Sequence, residues 1–135
     1  KDILVLSNGE KIPPGDMEQA ITLNPLFEQA LVIGEAKPYL SALLVINPEQ
    51  WENLARSHNL DPGDKNQIAD AKLNKALIRT VSDCLSDFPG YAKIRRITPM
   101  LEPWTVENGL MTPTLKIKRP LVINQYEQVI ENMYG

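Results

Sequence analysis

Cysteine and histidine each occur once in this chain of 135 residues, and their scarcity excludes several kinds of site. The lone Cys84 cannot form an internal disulfide, which fits a reducing compartment. It falls in a helical repeat of apolar residues, where a buried and unreactive thiol is expected. The lone His58 lies at the edge of an amphipathic helix. Neither a metal site built from Cys and His nor a Ser-His-Asp triad is therefore expected, and no metal ligands are predicted.

Long apolar runs and phosphate-binding glycine loops are also missing. No run reaches the roughly 18 apolar residues that indicate a transmembrane helix, and no signal peptide is visible. The glycine-rich loop that grips the phosphates of ATP is not found. A net charge of -3 argues against non-specific binding to nucleic acid, so no nucleic-acid partner is expected. A hydrophobic fraction of 43% is enough for a real core, and one domain over residues 1–135 is predicted.

The apolar pattern predicts an α+β fold, in which a small mixed β-sheet with a β-hairpin is flanked by helices. An Asn-Gly turn at Asn8 and Gly9 predicts the hairpin. Strands are predicted at residues 3–6, 11–12, 29–33, 39–46 and 93–101. Helices are predicted from residue 14 to about 23, from residue 48, over 68–86 and over 121–133.

A basic segment, residues 112–119, holds the strongest candidate for chemistry. Lys116 follows Pro113 on a loop that precedes the last helix, and an ammonium on a long stem suits phosphate oxygens. The plain alternative is a solvated basic turn. Lys118 is the rival lysine, because an extended segment would point it the same way as Lys116. Glu18 and the pair Arg95 and Arg96 are the other charged groups singled out.

Three stretches carry a resemblance to a known family. Residues 1–14, with Glu18 four residues later, resemble the opening of the C-terminal domain of adenylate-forming enzymes. The sequence Ser-Asn-Gly-Glu-Lys-Ile at residues 7–12 resembles the branch of long-chain fatty acid–CoA ligases. Residues 30–43 and 108–119 fit that branch too, whereas Pro120 departs from it, since a further basic residue is expected there. The resemblance covers essentially the whole chain.

The resemblance implies a lid domain that closes over a large N-terminal domain, which binds ATP, Mg²⁺ and the fatty acid. The catalytic lysine of the family falls on Lys116, and its hinge falls on Lys1 with Asp2 beside it. Gly9 falls where the CoA channel forms after the lid rotates, because a residue without a side chain lets the pantetheine arm pass close to the backbone. CoA is the implied co-substrate.

Two other functions stay open. A sister enzyme would deliver the acyl group to the pantetheine of a carrier protein, and a free-standing binding module would carry out no chemistry. The chain opens on Lys1 without an initiator Met, so we expect a piece of a longer protein that is inactive alone. We expect the parent to be cytoplasmic, with peripheral association with a membrane as a further alternative.

Overall fold

The computed structural model describes residues 2–135, and Lys1 lies outside the described residues. The chain divides into two compact units, the first ending at Leu101 and the second running from Glu102 to Gly135. In the described residues the first unit holds five strands and three α-helices. The strands are β1 (Leu4–Val5), β2 (Lys11–Ile12), β3 (Phe27–Ile33), β4 (Leu40–Ile46) and β5 (Ile94–Met100). The helices are α1 (Pro14–Thr22), α2 (Pro48–Ser57) and α3 (Ala71–Cys84).

Strands β1 and β2 form the β-hairpin that the sequence predicts, as a separate antiparallel sheet of two strands. Gly9 supplies the positive φ of the turn, 88°, a value that glycine adopts without a steric penalty. The Asn8 side chain accepts a hydrogen bond from the backbone N–H of Glu10 at 2.9 Å. Strand β1 is shorter than the strand predicted over residues 3–6. Its pairing with β2 ends at Val5, and the hydrogen bonds of the turn begin at Leu6.

Strands β3, β4 and β5 form the mixed sheet, which confirms the predicted α+β class. Strand β4 lies in the centre, antiparallel to β3 and parallel to β5. All seven residues of β4 are buried, as its continuous apolar sequence predicts. Apolar side chains of α1 and α3 belong to the same buried core as alternate residues of this sheet.

Helix α1 is fastened to the edge of this sheet by Glu18. One oxygen of the Glu18 carboxylate accepts a hydrogen bond from the backbone N–H of Val32 at 2.7 Å. Met17 and Ile21, on the apolar stripe of α1, are fully buried. Since β3 is an edge strand, this bond occupies one of the N–H groups that an edge leaves unpaired. Glu18 therefore has a structural role.

Helix α3 is shorter than the helix predicted over residues 68–86. A 3₁₀ turn, Lys65–Ala69, precedes it. Asp70 then leaves the helical conformation, with φ -57° and ψ 134°, and its side chain accepts a bond from the N–H of Leu73 at 2.9 Å. This is an N-cap, so the helix begins at Ala71.

The second unit ends in two helices where the sequence predicts one over residues 121–133. They are α4 (Arg119–Gln125) and α5 (Glu127–Tyr134). Tyr126 separates them, because its ψ of 26° lies well outside the helical range near -42°. Val122, Ile130 and Met133 are the buried residues of this segment.

Candidate functional site

Lys116 lies on a short loop that closes on itself. The backbone N–H of Thr112 donates to the carbonyl of Lys116 at 2.8 Å, and the N–H of Lys116 donates to the Thr112 hydroxyl oxygen at 3.0 Å. Immediately outside these bonds, Met111 and Ile117 form an antiparallel bridge. Lys116 therefore lies on a loop, as predicted, and this loop forms a tight turn.

Leu115, next to Lys116, holds a left-handed backbone conformation with a φ of 64°. Residues with a Cβ adopt this conformation rarely, since it brings the Cβ close to the following carbonyl. The N–H of Leu115 donates to the carbonyl of Thr112 at 2.8 Å. Its side chain is 69% exposed. The turn thus has an exposed apolar residue directly before an exposed lysine.

The rival lysine, Lys118, is held differently. Its backbone N–H donates to the carbonyl of Leu110 at 2.9 Å, and it precedes the first residue of α4. Lys118 is partly buried, whereas Lys116 is exposed. In residues 2–135 neither ammonium group has a hydrogen bond or ion pair. Both cations are available for an anion, but only Lys116 is exposed and belongs to the turn that Thr112 closes.

The preceding loop, residues 102–110, is fixed by Asn108, a residue for which no role was predicted from the sequence. The Asn108 side chain accepts bonds from the N–H groups of Thr105 at 2.9 Å and Leu110 at 3.2 Å, and donates to the carbonyl of Pro103 at 3.0 Å. The N–H of Asn108 in turn donates to the Thr105 hydroxyl at 3.0 Å. The Asn-Gly pair with a threonine three residues earlier is the sequence signal for this reciprocal turn.

Gly9, the expected channel residue, lies on the hairpin of the first unit. It is exposed, and no other atom would lie within 4 Å of a Cβ added to it. The space above its backbone is therefore open, although its φ of 88° alone already favours glycine. Of the expected hinge, Asp2 is exposed, and Lys1 lies outside the described residues.

Arg95 and Arg96 are both exposed although they are neighbours on β5. The pairing of β4 with β5 shifts register there, so that Leu40 pairs with Ile94 while Ser41 pairs with Arg96. A residue inserted in this way disrupts the alternation of a strand. The arginines line an open cleft of about 350 Å³ together with Tyr39, Ile78, Lys93 and Ile94.

The other candidate groups have structural surroundings. Cys84 is partly buried, and burial raises the pKa of its thiol above the usual value, with Asn24 opposing this rise through a hydrogen bond. His58 follows the last residue of α2 and is partly buried. Within residues 2–135 no three His, Cys, Asp or Glu side chains are grouped so as to hold a metal ion. None of the described helices has the length and apolar character required to span a bilayer.

A family model and several known proteins match this chain. A family model for the C-terminal domain of AMP-binding enzymes matches residues 1–135. The probable acyl-activating enzyme 16, chloroplastic, of Arabidopsis thaliana is 34% identical over an alignment of 145 residues. The alignment covers 99% of this chain and 18% of that protein. The chloroplastic long-chain-fatty-acid–[acyl-carrier-protein] ligase AEE15 of the same plant is 31% identical over 138 residues, which cover 100% of this chain and 17% of that protein. The long-chain-fatty-acid–CoA ligase FadD15 of Mycobacterium tuberculosis is 28% identical over 139 residues, 100% of this chain and 23% of that protein.

A solved structure shares the fold. The A domain of carboxylic acid reductase from Segniliparus rugosus, in complex with AMP and a co-purified carboxylic acid, gives a TM-score of 0.80 with 26% identity. The match covers 98% of this chain and 19% of that one. The chain thus spans only about a fifth of the length of the proteins that it matches.

Proposed function

Because this chain belongs to the family of AMP-binding enzyme C-terminal domains, we propose that it is the lid domain of a larger long-chain fatty acid–CoA ligase. The observation that carries the proposal is the family match over residues 1–135, combined with an exposed and unpaired lysine, Lys116, on a closed turn. The parent would hold its nucleotide and acyl pockets in an N-terminal domain outside this chain. Its substrates would be ATP, a fatty acid and CoA.

In the first half-reaction a carboxylate oxygen of the fatty acid attacks the α-phosphorus of ATP. A new P–O bond forms, the bond to the β-phosphate bridge breaks, and pyrophosphate leaves with the electron pair. Negative charge spreads over the phosphoryl oxygens as this happens, and a fixed cation nearby stabilises it. Lys116 is the group that we assign to this task. In the described part of the chain no three His, Cys, Asp or Glu side chains are grouped to hold a metal ion, and we propose that Mg²⁺ is bound mainly by the N-terminal domain together with the phosphates of ATP.

In the second half-reaction the CoA thiol attacks the acyl carbonyl carbon. The C–S bond of the thioester forms, the bond between the acyl carbon and the phosphate oxygen breaks, AMP leaves with the electron pair, and the thiol proton passes to solvent. We propose that the lid turns about Lys1 and Asp2 between the two steps, so that Lys116 withdraws and the hairpin face with Gly9 comes to the site. The open space above Gly9 supports this role, because the pantetheine arm needs a close approach to the backbone.

A carrier protein is the alternative acceptor. The name of one relative, AEE15, is that of an acyl-carrier-protein ligase, and 100% of this chain aligns with 17% of that protein at 31% identity. The chemistry at the acyl carbonyl is the same for both acceptors, since each presents a pantetheine thiol. The third possibility, a binding module without chemistry, would require that no adenylation domain accompanies this chain in the parent.

Product analysis with the purified full-length parent tests the proposal. Long-chain fatty acid, ATP and Mg²⁺ are supplied with either CoA or a phosphopantetheinylated carrier protein, and AMP, pyrophosphate and thioester are measured. We expect AMP, pyrophosphate and acyl-CoA in equal amounts. Thioester formed only on the carrier protein would favour the alternative acceptor, and the lack of any AMP would contradict both enzymatic functions.

We further propose that the parent is cytoplasmic, with peripheral membrane association as an alternative. A long-chain fatty acid partitions into membranes, which gives a physical reason for such contact. Fractionation of cells that express the parent, with and without a high-salt wash, separates the two possibilities.

A further inference from the structure

We propose that Thr112 is a positioning residue for Lys116: its hydroxyl oxygen fixes the backbone from which the lysine extends, and so aims the ammonium for the adenylation step. The inference rests on the proposed function, because Thr112 acts only through Lys116. Thr112 itself is not assigned any contact with substrate.

Three hydrogen bonds converge on Thr112 and close the turn. Its N–H and its hydroxyl oxygen bind the carbonyl and the N–H of Lys116, at 2.8 and 3.0 Å. Its own carbonyl accepts from Leu115 at 2.8 Å. Both backbone polar groups of Lys116 are therefore tied to one residue. Two of these bonds use backbone atoms that every residue has, whereas the bond to the Lys116 N–H needs a side-chain acceptor at position 112.

The conformation of Leu115 indicates that the turn is held under constraint. A residue with a Cβ at a φ of 64° persists only when its surroundings enforce that geometry. The Leu115 side chain is 69% exposed, so packing within the described residues does little to enforce it. The bonds to Thr112 enclose Leu115 directly, and the Met111–Ile117 bridge closes the turn outside them. Strained backbone of this kind occurs preferentially where a side chain must be held for function.

The Thr112 hydroxyl is itself oriented. Its oxygen lies 3.0 Å from the hydroxyl oxygen of Thr114, so one of the two groups donates to the other. When Thr112 donates its hydrogen to Thr114, both of its lone pairs remain available to the Lys116 N–H. Serine retains this hydroxyl, whereas valine keeps the branched shape of threonine and removes it.

Removal of this hydroxyl should slow adenylation without affecting the thioester step. A hydrogen bond of this kind shifts an equilibrium by roughly three- to tenfold, so Thr112→Val should slow acyl-adenylate formation by about that factor. Thioester formation from preformed acyl-adenylate should be unchanged, since Lys116 has withdrawn by then. Thr112→Ser should restore adenylation. A general structural defect would instead lower both half-reactions.

The experiment measures both half-reactions of the full-length parent in single turnovers, with Thr112→Val, Thr112→Ser, Lys116→Ala and a matched control. The control is Thr105→Val, which removes the same kind of bond, from a backbone N–H to a threonine hydroxyl, in the neighbouring loop. We expect Thr105→Val to react as the wild type does. Thr112→Ala repeats the test should the valine variant not fold.

Four outcomes decide the matter. Slow adenylation confined to Thr112→Val, with rescue by serine, supports the inference. A slow Lys116→Ala beside a normal Thr112→Val overturns it and leaves the proposed function intact. Equal slowing of adenylation by Thr105→Val and Thr112→Val also overturns it, and so does slowing of both half-reactions by Thr112→Val. In either case the turn would only support the fold. A normal Lys116→Ala contradicts the assignment of the adenylation cation to Lys116, and with it this inference.

Discussion

Leu115 holds a backbone conformation that residues with a Cβ seldom adopt, and this gives a test of the turn at the scale of single residues. At a φ of 64° glycine is unstrained, leucine is strained, and a β-branched residue is strained further. We therefore expect Leu115→Val to slow adenylation by roughly tenfold, the factor that corresponds to about 1.4 kcal/mol of added backbone strain. Leu115→Gly should stay within about threefold of the wild type, since relief of strain is offset by added backbone freedom.

The measurement is single-turnover adenylation by the full-length parent, with the thermal midpoint recorded for each variant. An equally active Leu115→Val would show that the left-handed geometry does not matter for Lys116. Because the Leu115 side chain is exposed, neither change removes buried packing that the described residues provide.

The position of Lys116 on a loop was predictable, but its anchoring was not. The Asn108-Gly109 pair and Pro113 mark a loop before the last helical pattern. The bond from the Lys116 N–H to Thr112 depends on the rotamer of one side chain, which no local pattern specifies. Lys116 is more exposed than Lys118, whose backbone N–H is bonded to the carbonyl of Leu110. This pairing was likewise not predictable from the local sequence.

At the scale of elements, Gly34 lies close to two leucine side chains. We therefore predict that one added methyl group at this position lowers the stability of the fold. A Cβ at Gly34 would lie 2.5 Å from a methyl of Leu40 and 3.2 Å from a methyl of Leu6. Leu40 is buried, with only 1% of its surface exposed. We expect Gly34→Ala to lower the free energy of unfolding by about 1–3 kcal/mol, the usual cost of overpacking.

Gly15→Ala is the matched control. Gly15 lies in α1, and beyond its chain neighbours and the nearby backbone of that helix nothing would lie within 4 Å of its added Cβ. The change should be neutral or stabilising by up to about 1 kcal/mol, since alanine loses less backbone entropy in a helix than glycine does. Urea unfolding of the chain measures both. Equal stability of the two variants would mean that Leu40 moves aside at little cost.

Most elements follow from local patterns, and the exceptions have local physical causes. The hairpin follows from Asn-Gly, and the buried strands follow from continuous apolar runs. The start of α3 was misplaced because Asp70 was not recognised as an N-cap. The break at Tyr126 carries no proline or glycine to announce it. The mixed sheet was predicted, but not which of its strands pair in parallel, since the pairing of β4 with β5 depends on how the chain crosses over through α2 and α3.

At the scale of the whole molecule, the proposed function assigns the nucleotide pocket to a separate N-terminal domain. We therefore predict that the chain alone is inactive. The isolated residues 1–135 should fold, because their apolar residues form a buried core. They should show no exchange of label between pyrophosphate and ATP in the presence of fatty acid. Circular dichroism with thermal melting establishes folding, and the exchange assay establishes inactivity. Detectable exchange by the isolated chain would contradict the assignment of the chemistry to a separate domain.

The central claim is that Lys116 supplies the cation for adenylation. Its ammonium is exposed and unpaired within residues 2–135, and its backbone is closed onto Thr112. Loss of one preorganised group that stabilises developing charge slows a reaction by roughly a hundred- to a thousandfold, and we expect that loss in Lys116→Ala. Lys118→Ala is the matched control, a lysine two residues away on the same segment.

Single-turnover kinetics of the two half-reactions in the full-length parent is the most direct measurement. The account predicts that Lys116→Ala slows acyl-adenylate formation by that factor and leaves thioester formation from preformed acyl-adenylate nearly unchanged, while Lys118→Ala is mild in both steps. A large adenylation defect in Lys118→Ala with a normal Lys116→Ala, or a normal rate in both variants, would contradict it.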